Sequence, residues 1–155
     1  MSDTLKVLVW GTADLAWAAG FIDGEGCIQV SKAGRGSRVH VLRVSASQIS
    51  RAPLDRLQQM FGGGVYRKAT SNPRHRDQWG WEATSHTARR ALVALLPYLM
   101  VKAAEARLAV LFQQSIRTRR GRAANEFDIA EKESFRLALI EAHHMEGGDA
   151  NEYAA

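Results

Sequence analysis

Apolar and polar positions repeat with two different periods along this chain, and each change of period marks the edge of an element. Over Thr12 to about Ile22 the period is helical. At about 100° per residue, Leu15, Ala18, Ala19 and Ile22 fall on one face, and Trp17, Gly20, Phe21 and Gly24 fall on the opposite one. Both faces are apolar, and a short helix with two apolar faces needs two covers: its own domain and a second body. Gly20 and Gly24 stand one turn apart on the second face and lack the side chains that would hold another backbone away. A close helix-to-helix crossing is expected there. Thr12 is a candidate N-cap, and Asp14 suits the first turn.

The period then falls to two. Over Cys27 to Lys32, Ile28 and Val30 alternate with Gln29 and Ser31, as in a strand with one dry face. Gly34-Arg-Gly-Ser37 reads as a basic hairpin loop, and Arg38 to Gln48 as a second strand. The apolar phase slips between Val41 and Leu42, which predicts a bulge. Pro53 opens a short helix to about Phe61, ended by Gly62-Gly-Gly64. A third strand covers Val65 to Thr70 and carries Arg67 and Lys68. A fourth covers Gln78 to Thr84, with Trp79, Trp81 and Ala83 on one face, and the tryptophans are expected in the core. Helical spacing returns from Ser85 or Thr87 to Leu96, from about Val101 to Arg119, and from Asp128 to His144, with a frayed tail from Gly147. The expected order is α-β-β-α-β-β-α-α-α: one α+β domain over residues 1–155, with a four-stranded antiparallel curved sheet and helices packed on one face.

Such a sheet leaves its other face free. The residues expected on it are Gln29, Ser31, Arg38, His40, Arg43, Ser45 and Arg67, with Lys68 beside them. Charge changes the picture here. The net charge is +5, but residues 1–122 hold 19 Lys or Arg against 8 Asp or Glu, a net of +11, and residues 123–155 hold 2 against 8, a net of −6. The basic part suits a polyanion. Arg and Gln can read guanine and adenine edges bidentately, while Lys and Arg at a rim neutralise phosphates.

No stretch reaches the length of a membrane span, and residues 1–13 lack a cationic start followed by an apolar run, so a soluble intracellular protein is expected. The lone Cys27 cannot form an internal disulfide. With no partner base placed by sequence, it is expected as a small buried side chain rather than a nucleophile.

Asp23 and Glu25 follow the first helix, flanked by Gly24 and Gly26. Carboxylates there meet the negative end of the helix dipole, which a cation would offset. Read alone, the pair is either a hard oxygen ligand set of the kind Mg2+ accepts or the solvated corner of a turn into a strand. The stretch Ala18-Ala-Gly-Phe-Ile-Asp-Gly-Glu-Gly26 resembles the signature of the LAGLIDADG homing endonucleases, and Leu95-Leu-Pro-Tyr-Leu-Met-Val-Lys102 resembles the segment that introduces that family's penultimate long helix. The resemblance runs from about Leu15 to about Gln113.

The resemblance implies a sequence-specific double-stranded DNA endonuclease. The signature occurs once, as in members that act as homodimers, so Trp17, Gly20, Phe21 and Gly24 are expected to meet their symmetry mates over a palindromic or near-palindromic site. It further implies that Glu25 holds Mg2+, assisted by the Gly24 carbonyl, with Mn2+ or Ca2+ able to substitute for binding. Lys102 is implied near the cleavage centre, and Gln48 as a residue that orders solvent there. Asp23 is expected to brace the helix end. Arg51 is a further candidate in uncertain register. Two other readings stay open: a non-cleaving relative that binds nucleic acid, such as an intron-splicing cofactor on RNA or a DNA-binding regulator, and a protein-interaction module with an incidentally basic sheet.

Overall fold

The elements follow in the order the periodicity predicts: α1 (Thr12–Glu25), β1 (Gly26–Lys32), β2 (His40–Gln48), α2 (Ala52–Phe61), β3 (Gly64–Lys68), β4 (Gln78–Thr84), α3 (Ser85–Leu95), α4 (Ala103–Ser115) and α5 (Glu126–Gly148). The structure, a computed structural model, describes residues 10–72, 74–116 and 125–148. The end of the helix predicted to reach Arg119 and most of the predicted tail lie outside these residues.

The four strands form one antiparallel sheet in the order β1-β2-β4-β3. Ile28 and Val30 of β1, Leu42, Val44 and Ala46 of β2, and Trp81 and Ala83 of β4 are buried on one face. Onto that face pack Ala18, Ala19 and Ile22 of α1, Leu54 and Leu57 of α2, Ala88, Leu92 and Leu95 of α3, Ala106, Ala109 and Phe112 of α4, and Leu139 of α5. Each fully buried large side chain in this layer contributes about 1.5–3 kcal/mol. Trp81 is wholly buried, as expected, and its indole N–H donates to the Gly62 carbonyl at 2.9 Å.

Four expectations need correction. The first concerns α1, which runs beyond Ile22 to Glu25 and passes into β1 with no loop. Thr12 is its first helical residue, with Gly11 at the N-cap. The helix can abut the strand because residue 26 is glycine: a Cβ there would lie 2.6 Å from the Ile22 carbonyl oxygen. The second concerns β2, which has no bulge. The β1–β2 register is continuous from Gly26↔Ala46 to Lys32↔His40. His40 therefore keeps phase with Leu42 and Val44 and is buried under α5, where its Nε2 lies 2.7 Å from Glu133 Oε2. A polar side chain can sit there because a carboxylate arrives from a helix 93 residues away in sequence.

The third correction is Arg67, which shares a face with Val65, Trp79 and Trp81 rather than with Lys68, since adjacent strand residues point to opposite faces. Its guanidinium reaches out from that edge to Asp77. The fourth is Cys27, which is exposed at the start of β1 rather than buried. Partial desolvation of its sulfur, and then the Glu105 carboxylate, push the thiol pKa up, which disfavours the nucleophilic thiolate.

Candidate active site and nucleic-acid interface

The end of α1 is where the candidate chemistry gathers. Asp23, one turn back from β1, is fully committed: its Oδ2 accepts the Met100 N–H at 2.8 Å and its Oδ1 accepts the Lys102 N–H at 2.9 Å. It braces the helix end by tying it to the segment between α3 and α4. Lys102 is buried, and its Nζ donates to the Asp23 carbonyl oxygen at 2.6 Å. An ammonium thus faces the negative end of the α1 dipole, the arrangement that offsets acids in the last turn.

Glu25, the last helical residue, is exposed and makes no hydrogen bond or ion pair among the described residues. A carboxylate with no partner among the described residues is free to take a ligand. Gly24 is exposed beside it, and a Cβ there would meet nothing within 4 Å. Gln48 ends β2 at the same end of the sheet, since Gly26 pairs with Ala46. Its Oε1 accepts the Ile49 N–H at 2.8 Å. Arg51 lies over the Trp79 ring, 4.6 Å from its centroid, and also pairs with Asp55.

No group of three or more His, Cys, Asp or Glu among the described residues is placed to hold a metal ion. At this end of α1, one chain offers a single carboxylate, that of Glu25, without a partner among the described residues. The donor chemistry suits a hard divalent cation, but its coordination needs further oxygens from another molecule.

On the second face of α1, Gly20 and Gly24 open outwards, while Trp17 and Phe21 pack in part against the rim of the core. Gly20 is exposed, with nothing within 4 Å of a Cβ placed on it. Trp17 and Phe21 are half-buried and stacked on each other, with ring centroids 5.6 Å apart. Arg56 lies over the Trp17 ring and pairs with Asp14, closing one side of this face.

The open sheet face carries Gln29 and Ser31 from β1 and Arg43, Ser45 and Ser47 from β2, all exposed or half-exposed. Across them lie Glu82 and Gly80 of β4, then Gly64, Tyr66 and Lys68 of β3. Lys68 is on this face, its Nζ donating to Ser47 Oγ at 2.9 Å. Of the expected DNA-facing residues, Gln29, Ser31, Arg43, Ser45 and Lys68 are brought together here, and His40 and Arg67 are not. Arg38 is exposed in the β1–β2 connection, ahead of β2, at the sheet end opposite Glu25.

Tyr66, Ser47 and Glu82 also lie on this face, and none of them was among the residues expected to meet DNA. Simple alternation from Lys68 back to Tyr66 would have found the first of these. Tyr66 lies over Gly80, where a Cβ would sit 2.6 Å from its ring, so a glycine opposite lets the ring lie against the strand.

No protein-family profile matches the chain, and no curated protein matches it. Solved structures do. The homing endonuclease I-CvuI, in complex with a DNA target, superposes with a TM-score of 0.70 over 85% of this chain and 85% of that one, at 20% identity. The archaeal intron-encoded homing endonuclease I-Vdi141I, complexed with DNA, gives 0.62 over 84% of each chain at 16% identity. The LAGLIDADG homing endonuclease I-GzeII, in complex with its DNA target, gives 0.57 over 79% of this chain but only 43% of its own, at 14% identity. The helix that ends in Glu25, the four-stranded sheet behind it and these superpositions agree: the chain has the fold of the LAGLIDADG homing endonucleases.

Proposed function

We propose that this protein is a sequence-specific double-stranded DNA endonuclease of the homing type, acting as a homodimer on a palindromic or near-palindromic site by metal-assisted hydrolysis. The observation that carries the reading is Glu25: an exposed, uncommitted carboxylate at the end of a helix whose outer face is apolar and glycine-bearing. Pairing Trp17, Gly20, Phe21 and Gly24 with the same residues of a second copy would cover that face and bring two Glu25 carboxylates together. Supporting this, the chain spans 85% of I-CvuI but 43% of I-GzeII, as expected if a longer chain holds two such units.

Glu25 from each copy, with the Gly24 carbonyl, would hold Mg2+. The oxygens still needed are those a DNA phosphate supplies, and I-CvuI was itself solved with DNA in Mg or Ca. When bound, such a cation polarises the phosphate and activates water for attack. The chain's own residues do the rest. Lys102, held at the Asp23 carbonyl, places a positive charge close to the same helix end, where it would stabilise charge developing on the phosphate. Asp23 keeps that lysine and the α3–α4 segment in place. Gln48, at the adjoining end of β2, is available to order solvent. The open face, with Gln29, Arg43, Ser45 and Lys68, would read and hold the duplex.

The test is purified protein incubated with a randomised duplex library with and without Mg2+. Recovery of cut, two-fold-related sites only with the metal supports the reading. Retention of duplex without cutting under any divalent metal would favour the non-cleaving alternative.

A further inference from the structure

We propose that Arg43 reads a guanine at one position in each half of the target, and that Glu82 and Ser31 are positioning residues that set it to do so. This rests on the open sheet face being the DNA surface. Arg43 pairs in register with Gln29 of β1 and Thr84 of β4, so Ser31 and Glu82 are its diagonal neighbours on either side. Both hold it. Its Nε donates to Ser31 Oγ at 3.1 Å and its Nη1 donates to Glu82 Oε1 at 2.8 Å.

A guanidinium has five N–H donors in a rigid planar fork. These two partners use the Nε–H and one N–H of Nη1. What remains is Nη2 with the other N–H of Nη1, the end of the fork that matches guanine O6 and N7. An unrestrained arginine over a duplex swings to whichever phosphate is nearest and carries no sequence information. One braced from both sides keeps its fork in a single place, which base reading requires. The side chains of Arg43 and Glu82 are 30% and 32% exposed, reachable from the face yet partly desolvated.

This also accounts for Glu82 itself. A carboxylate in the middle of a surface for a polyanion repels it, so simple electrostatics predicts that its removal strengthens binding to every sequence alike. A positioning role predicts something different, a loss confined to one base pair.

The test is site selection from a randomised duplex library, with melting midpoints checked for each variant. Wild type is expected to select guanine at one position per half-site. Arg43→Ala should reduce that preference about tenfold or more at that position alone. Glu82→Ala should reduce it at the same position while binding to unrelated duplex holds or strengthens. Glu82→Gln, which keeps the Oε1 acceptor, should retain the preference, and Ser31→Ala should weaken it at the same position. The inference is overturned if Glu82→Ala and Ser31→Ala both keep the wild-type preference, or if Arg43→Ala weakens all sequences equally, as a phosphate contact would. Failure of wild type to retain any duplex overturns the DNA reading itself, and this inference with it.

Discussion

Lys102 donates its ammonium to the backbone carbonyl of Asp23 at 2.6 Å, while the Asp23 carboxylate accepts the backbone N–H of Lys102 in return. The two residues are 79 apart in sequence, and this reciprocal pair locks the α3–α4 segment onto the end of α1. It leaves the Glu25 side chain, two residues on, without a partner among the described residues. The division of labour between the two acids follows: Asp23 supports, and Glu25 is free to act.

Asp23→Ala strands the N–H groups of Met100 and Lys102. A loss of about 1–3 kcal/mol is expected from the part-buried Lys102 donor, while the exposed Met100 N–H can turn to water. Urea unfolding measures it. An unchanged midpoint would mean that the contact carries no stability.

Gly20→Leu should separate the subunits without unfolding them. A Cβ at Gly20 meets nothing within its own chain, so the fold has no objection to the side chain. A close crossing of two α1 helices would. Light scattering is expected to give a monomer with a melting midpoint no lower than that of a separated wild-type chain. A dimer of unchanged affinity would place the interface elsewhere.

Much of this was readable from residue spacing. The two-faced helix, the order of elements and the Ile28/Val30 and Trp79/Trp81 alternations are local patterns, and local patterns survive folding. His40 was not readable, because its place depends on Glu133, a partner whose arrival nothing nearby announces. Paired with Arg38 as polar, it suggested a bulge that the continuous register of β2 excludes. Arg67 was a different kind of miss: it and Lys68 cannot share a face, and period two alone rules it out. The length of α1 turned on Gly26, whose value lies in a clash it avoids with Ile22.

Gly26→Ala tests that junction. A methyl group 2.6 Å from the Ile22 carbonyl oxygen meets backbone, which cannot swing aside. A loss of about 3 kcal/mol is expected, at the upper end for overpacking. Chemical denaturation of the variant checks it, and a cost below about 1 kcal/mol would show that the helix ends earlier.

Glu133 makes the fold sensitive to acid. The Arg136 guanidinium, and then His40, hold its carboxyl down from 4.5 to about 2. A depressed pKa means that the contribution is complete above about 4.5 and is lost as pH falls towards 2. The group is partly exposed, with its side chain 30% accessible, so solvent screens the pairing and the effect is modest. Glu133→Gln is expected to unfold along a shallower curve between pH 4.5 and 2. Superimposable wild-type and variant acid titrations, followed by circular dichroism, would remove Glu133 as the cause.

The central claim, that paired Glu25 carboxylates drive metal-assisted cutting of a bound duplex, is tested most directly by the cleavage rate of Glu25→Gln on a selected site as Mg2+ is titrated. The account predicts duplex affinity within a few-fold of wild type and cutting slower by about 100-fold or more, because a ligand of the metal is gone and the DNA face is not. Cutting at the wild-type rate, with the same dependence on Mg2+, would contradict it.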